Sequence, residues 1–366
     1  MIEEGKIGVH EAVCLVVTAI SNRIFFTAPA TVARATGTAG WYMALISNLT
    51  TIVAFYFIYL LLKRFPNKNL FEIFDLSWGR FIGFILSFIY ASAFLFATGT
   101  LLREFLDMLK VFVFPRTPLG ALIFAVLVVI VTAAFLGFET IARVASLASY
   151  TSLAGYIILL LLAVNDYRFS NLFPILGYGL GKTVIEGLSR SSAFSEVIIL
   201  AVFAGSLQGV QHIKKAGFRA LIISGLIISS GILCITMAFS YANFQEQTAP
   251  LFVMVRFIKY GPFFQRIDPL FLLLWIISAI IASSTLFYSA VSSYCKTFRL
   301  LDARPVIIPM AVLLFAITLI PRDFPSLIDK YIETLRIYPI FLFYCVPFTT
   351  LIVAMVRQKK GKTANA

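Results

Sequence analysis

The chain has 366 residues, 60% of them hydrophobic and 13% charged, with a formal net charge of +13 and a mean hydropathy of +0.94. A soluble domain runs near roughly 45–50% apolar, so this composition excludes a water-soluble fold and requires a polytopic helical membrane protein. The basic residues are spread through every loop as positive flanks of membrane spans, which excludes a nucleic-acid binder.

Ten spans are predicted, each an apolar run of about 20 residues: 8–34, 41–62, 80–108, 119–137, 142–163, 184–210, 217–241, 267–294, 305–320 and 334–356. They are expected to form a single transmembrane domain over 1–366 with no soluble domain appended. The acidic start, Met1 to Lys6, lacks the basic region of a cleavable signal and is expected to be retained. An even span count puts both termini on one side. Lys and Arg number about sixteen on that side and about twelve opposite, so the termini are expected to be cytoplasmic. The densest clusters, Lys63-Arg64, Lys214-Lys215 with Arg219, and the tail from Arg357 to Lys362, all fall there.

The first span carries a defect. Val9 to Val17 is largely apolar, then Thr18-Ala19-Ile20-Ser21-Asn22-Arg23 interrupts it before Phe25, Phe26 and Pro29. Span three ends in Arg103, Glu104 and Asp107; Arg103 and Asp107 are one helical turn apart and read as an interfacial ion pair. Asn171-Leu172-Phe173-Pro174 and Ala249-Pro250 mark turns in the longer outer connections, 164–183 and 242–266. Span six repeats the defect of span one: Gly187 to Glu196 places hydroxyls and a carboxylate ahead of a short apolar run, Val197 to Ala204. Asp268-Pro269 reads as the start of span eight, with Asp268 as N-cap. That span holds Ser278, Ser283, Ser284, Thr285 and Ser289, and small hydroxyl residues of this kind read first as helix-packing material.

The polar patches near Ser21 and Ser195 lie half a chain apart, and five spans follow the pattern from each. Paired interruptions in corresponding spans point to a 5+5 inverted repeat, about 8–163 and 184–356, with broken helices one and six and a site at mid-membrane. Hydrocarbon does not tolerate unpartnered backbone groups, so the breaks call for a guest or a protein partner. The half-helix after Ser21-Asn22 is expected to offer N–H groups and a positive dipole end to a carboxylate, and the one ending near Ala193-Phe194 carbonyls to an ammonium. The predicted binding residues are therefore Ala19, Ser21, Asn22, Arg23, Ala193, Phe194, Ser195 and Glu196. Ala97 and Gly99 of span three and Ser283 and Ser284 of span eight form a second line. Arg23 and Glu196, one charge in each break, are expected to meet, as part of a ligand site or as a structural clasp. The other reading of the breaks is that Ser and Thr bond back to carbonyls of unbroken helices.

Cys14, Cys234, Cys295 and Cys345 sit in separate spans without CxxC spacing and read as small core residues. With two histidines, His10 and His212, no nucleophile–base pair and no Walker motif, no metal, cofactor, enzyme activity or ATP-driven transport is expected.

Several stretches resemble the B subunit of the GerA-type spore germination receptors, in the amino acid/polyamine/organocation transporter superfamily. They are Ile20 to Pro29 followed by Ala39-Gly40-Trp41, Asn171 to Pro174, Phe194-Ser195-Glu196, and Arg266-Ile267-Asp268 leading to Trp275. The resemblance covers essentially the whole chain and implies an all-α, LeuT-like fold. It also implies a nutrient sensor, with an amino acid as the expected ligand. Its place would be the inner membrane of a dormant spore, with an A subunit and a lipoprotein C subunit as partners. A proton- or sodium-coupled amino acid permease shares that architecture, and in transporters of this fold span-eight hydroxyls such as Ser283 and Ser284 can help hold sodium against span one.

Overall fold

A computed structural model describes residues 4–258 and 267–361. Residues 1–3, the 259–266 part of the 242–266 connection (with Arg266) and the tail from Lys362 lie outside the described residues.

The helices follow the apolar runs. The first span divides into α1 (Val9–Ser21), a 3₁₀ turn (Asn22–Phe25) and α2 (Ala28–Thr36). Between turn and helix the chain is extended at Phe26. Then come α3 (Gly40–Arg64), the short α4 (Leu70–Trp78), α5 (Arg80–Phe112), α6 (Leu119–Leu136) and α7 (Phe138–Leu162). The second half opens with α8 (Leu180–Ser189), a 3₁₀ segment (Arg190–Ile198) and α9 (Ile199–Val202). It continues through α10 (Val210–Ala238), the short α11 (Tyr241–Phe244) and α12 (Pro250–Phe257), and α13 (Asp268–Phe298). Last are α14 (Arg304–Leu319), α15 (Phe324–Ser326), a π-helical turn (Leu327–Ile332), α16 (Glu333–Ile340), a second π turn (Phe341–Cys345) and α17 (Val346–Val356).

Among the described residues six helices, taking Ala28–Arg64 as one run, are individually long and apolar enough to cross a membrane. The other predicted spans are assembled from shorter pieces. The ninth is α14 alone, after which the chain turns by 111° between Arg304–Leu319 and Phe324–Leu335, and the tenth is interrupted at the second π turn. Asp268 stands inside the first turn of α13 and not at its cap, which is Ile267; there it still complements the helix dipole.

The centre of the molecule is α13. Its Ala and Ser residues keep it slim enough to pack against α1, α5, α6 and α7 together. Thr285 and Ser289 donate back to the carbonyls of Ile281 and Thr285 (2.8 and 2.7 Å), so those two hydroxyls are satisfied within the helix. Aromatic rings fix the first break onto this helix: Phe25 meets Phe271 edge-on at 5.5 Å, and Trp275 takes Phe26 at 5.9 Å and Phe105 at 5.3 Å. Such pairs contribute about 0.5–1.5 kcal/mol each beyond their buried area.

Two polar ends close the bundle. At one, Glu4 accepts from Lys296 Nζ (2.9 Å) and from Ser292. Arg299 reaches Asp75 (2.9 Å), and Arg64 and Arg357 hold carbonyls of Lys359 and Ser77 (2.8 and 3.1 Å). At the other, Arg34 donates to the Gln245 carbonyl (2.8 Å), Tyr178 N–H to the Thr36 carbonyl (3.3 Å) and Arg168 N–H to the Met237 carbonyl (3.0 Å). Glu4 and the segment after α17 thus lie at the same end.

Candidate functional site

The first break follows from local sequence. Pro29 supplies no N–H and starts α2 well, while Phe26 has left the helical region, so α1 cannot run into α2. The sixth span is handled differently. It is not unwound at Ala193-Phe194 as expected; Arg190–Ile198 tightens into nine residues of 3₁₀ helix. Runs of that length are uncommon and need outside support. Support comes from α3, where Ser47 donates to the Gly187 carbonyl at the end of α8 (2.8 Å) and the Thr51 hydroxyl is shared between the Ser191 carbonyl (2.9 Å) and the Ser47 carbonyl of its own helix (3.0 Å). Donors four residues apart on one helix thereby meet carbonyls four residues apart on the other.

Arg23 and Glu196 meet. Arg23 Nη2 donates to Glu196 Oε1 in an ion pair that joins the two breaks. The Glu196 side chain is 8% exposed and that of Arg23 is 37% exposed. Among the described residues Glu196 Oε2 and Arg23 Nε, both buried, have no hydrogen-bond partner, which leaves one acceptor and one donor of the pair unanswered there.

The pair lies between two cavities. One, of about 130 Å³, is lined by Ala19, Arg23, Ala97, Ala193, Phe194 and Glu196, among others. The other, of about 430 Å³, shares Arg23, Ala97 and Glu196, takes in Ser195, and is walled by apolar side chains of α5 and the tenth span such as Phe88, Phe94, Leu342 and Phe343. Six of the eight predicted binding residues line one cavity or the other. Ser21 and Asn22 line neither. Both are buried, and among the described residues the Ser21 hydroxyl and both amide atoms of Asn22 have no hydrogen-bond partner.

Among the second-line residues, Ala97 is at the site. Gly99 is not: a Cβ there would strike Ile317 of α14, so it serves helix approach. Ser283 and Ser284 are buried on α13 with hydroxyls that find no hydrogen-bond partner among the described residues.

Sequence reasoning missed Glu104. Arg103 and Asp107 form the expected ion pair (2.7 Å), with Arg103 buried in the protein and donating to the Thr318 carbonyl of α14 (3.1 Å). At 33 residues and 1.5 Å per residue, α5 carries its last turns past its apolar run and against α14. Glu104, one position on and a different direction round the helix, lines the smaller cavity. It accepts from Thr27 N–H at 3.2 Å and from the Thr27 hydroxyl. Arg190, held by Glu186 at 2.8 Å, and the hydroxyl residues Thr27, Thr31, Thr100 and Ser192 line the same space. A charged residue next to a long apolar helix was the available signal. What could not be read was which side of α5 it faced.

The backbone is similar to that of Mhp1, a nucleobase-cation-symport-1 family transporter solved in a closed conformation with bromovinylhydantoin bound. The TM-score is 0.63 at 15% identity over 97% of this chain and 91% of that one. It is also similar to a Na⁺-coupled sialic acid symporter, with a TM-score of 0.66 at 12% identity over 94% and 80%. The fold is therefore all-α and LeuT-like. In sequence the chain is similar to spore germination protein KB of Bacillus subtilis (strain 168), 25% identical over 99% of this chain and 98% of that protein. It is likewise similar to spore germination protein B2 of the same organism, 21% identical over 98% of each. The family described as spore germination protein matches residues 6–325, and this multi-pass membrane chain belongs to it.

Proposed function

We propose that the chain is the membrane-embedded, nutrient-sensing subunit of a spore germinant receptor. It binds a small nutrient at the junction of spans one and six and triggers germination by changing shape there. The observation that carries the reading is the Arg23–Glu196 pair: it joins the two broken segments, faces both cavities and leaves one acceptor and one donor open to a guest. A ligand that answers those atoms alters the link between the two halves, about 8–163 and 184–356, which we take as inverted repeats. In this proposal the protein sits in the inner spore membrane with its termini cytoplasmic, alongside an A subunit and a lipoprotein C subunit, and performs no catalysis.

Phe194 lines the cavity and is itself almost fully buried, so its size sets the space available. Spores carrying Phe194→Ala or Phe194→Trp should change nutrient preference across a panel of amino acids and sugars while immunoblots show unchanged abundance. Parallel loss of response and protein would refute the reading.

A coupled permease is the second reading. The buried, partnerless hydroxyls of Ser21, Ser283 and Ser284, with the Asn22 amide, favour it, because unanswered oxygens suit a cation. Nutrient uptake into proteoliposomes driven by a sodium or proton gradient would establish it; binding without uptake excludes it.

A further inference from the structure

We propose that Arg190 receives the carboxylate of the ligand in the smaller cavity, and that the 3₁₀ winding of the sixth span sets it in line with Glu196, so that the site selects a small zwitterion. This rests on the reading of that cavity as the nutrient site. The carboxylate then goes to a side chain of span six and not to the backbone donors of the first break.

The alignment comes from the winding. A 3₁₀ helix has three residues per turn, so side chains at i, i+3 and i+6 eclipse. Arg190, Ala193 and Glu196 therefore stand on one face of the 3₁₀ segment, and all three line the cavity. In an α-helix the same six steps would turn Glu196 about two-thirds of a turn away from Arg190. Six residues at about 2.0 Å each separate the two backbones by roughly 12 Å, a span that the arginine and glutamate side chains and a guest of a few heavy atoms fill between them. Ala193, in the middle, leaves the room. The wall thus has a cation at one end, an anion at the other and a methyl group between.

Each end keeps hydrogen-bonding capacity. Arg190 donates from Nε to Glu186 one turn back on α8 (2.8 Å), and Glu186 does not line the cavity. That bond orients the guanidinium and uses one edge of a five-donor fork. Among the described residues Nη1 and Nη2 of Arg190 have no acceptor, which leaves a pair of donors matched to the two oxygens of a carboxylate. The Arg190 side chain is 17% exposed, so little water competes for them. Arg23, the other arginine of the described lining, already gives Nη2 to Glu196. At the far end Glu196 Oε2 is a buried acceptor with no partner among the described residues, and an ammonium answers it. The charged groups of the described lining are two arginines and two carboxylates, Glu104 and Glu196, which favours a guest carrying both signs over one carrying either alone. The cavity of about 130 Å³ keeps that guest small.

The test uses the full chain purified in detergent. Of glycine, L-alanine, 3-aminopropanoate and 4-aminobutanoate, the one that raises the melting temperature most is carried forward with two relatives, its amino alcohol and its deaminated acid, each lacking one charge. The zwitterion should bind the unaltered protein about tenfold more tightly than either relative. Arg190→Gln should weaken the zwitterion by about tenfold and leave the amino alcohol unchanged, because only the zwitterion brings an acid group to residue 190. Arg190→Lys keeps the charge without the fork and should restore part of the loss. Equal weakening of zwitterion and amino alcohol in Arg190→Gln would mark a structural role and overturns the proposal. So does equal affinity of the zwitterion and either relative for the unaltered protein, a comparison that needs no variant, and so does failure of all four probes to bind. Affinities unmoved by Phe194→Trp instead place the ligand elsewhere and overturn the site reading, whatever Arg190→Gln does.

Discussion

Arg23 and Glu196, 173 positions apart in the chain, form an ion pair that ties the broken first span to the tightened sixth. Glu196 is nearly buried, and both residues keep one polar atom unanswered. The pair is thus a clasp between the two halves and the wall of two cavities at once.

Removing Arg23 leaves the buried Glu196 carboxylate alone, which is worse than neutralising both. Arg23→Ala should destabilise the protein by about 2–4 kcal/mol, and Glu196→Ala by less, because Arg23 is part-exposed. Arg23→Gln combined with Glu196→Gln should recover part of that loss, because both become neutral and keep hydrogen-bonding atoms. Thermal unfolding in detergent, with abundance by immunoblot, reads this directly. Additive losses in the double variant would mean that the residues do not interact.

The 3₁₀ segment depends on α3. Ser47→Ala and Thr51→Val remove the donors to the Gly187 and Ser191 carbonyls and should cost about 1–2 kcal/mol each. Hydrogen exchange should quicken over 187–198 and stay unchanged in α6, which these donors do not touch. Uniform acceleration throughout the chain would show a global effect and not a local one.

Arg103 and Asp107 should behave as a buried structural pair and not as a surface one. Arg103→Met leaves Asp107 without its guanidinium and the Thr318 carbonyl without its donor, a loss of about 3–5 kcal/mol. An exposed pair would lose under about 1 kcal/mol. Denaturation of the purified protein distinguishes the two values.

The two polar ends predict opposite labelling. Single cysteines at Asn67 and at Gln247 should react with a membrane-impermeant thiol reagent from opposite faces, Asn67 from the cytoplasmic one. Labelling of both from one face would contradict the bundle as described, and reversal of the two would invert the proposed orientation.

The sequence by itself determined the class, the breaks and the meeting of their charges. Hydrocarbon enforces these locally: apolar runs must be helical, a polar interruption such as Ser21-Asn22-Arg23 or Ser195-Glu196 breaks the run, and two isolated opposite charges at similar depth have reason to meet. Family resemblance carried the rest of the fold. What the tertiary structure alone decided is direction and support. Nothing in span six says that it tightens into 3₁₀ helix, because the donors that hold it, Ser47 and Thr51, are on another helix. Gly99 and Ala97 are equally small and two positions apart, yet only Ala97 reaches the cavities, because α14 packs against the Gly99 side. Glu104 looked like one charge in an interfacial cluster. The path of α5 beneath α14 turned it into the carboxylate at the start of α2, and that path is fixed by how whole helices pack, a quantity that no stretch of sequence carries alone.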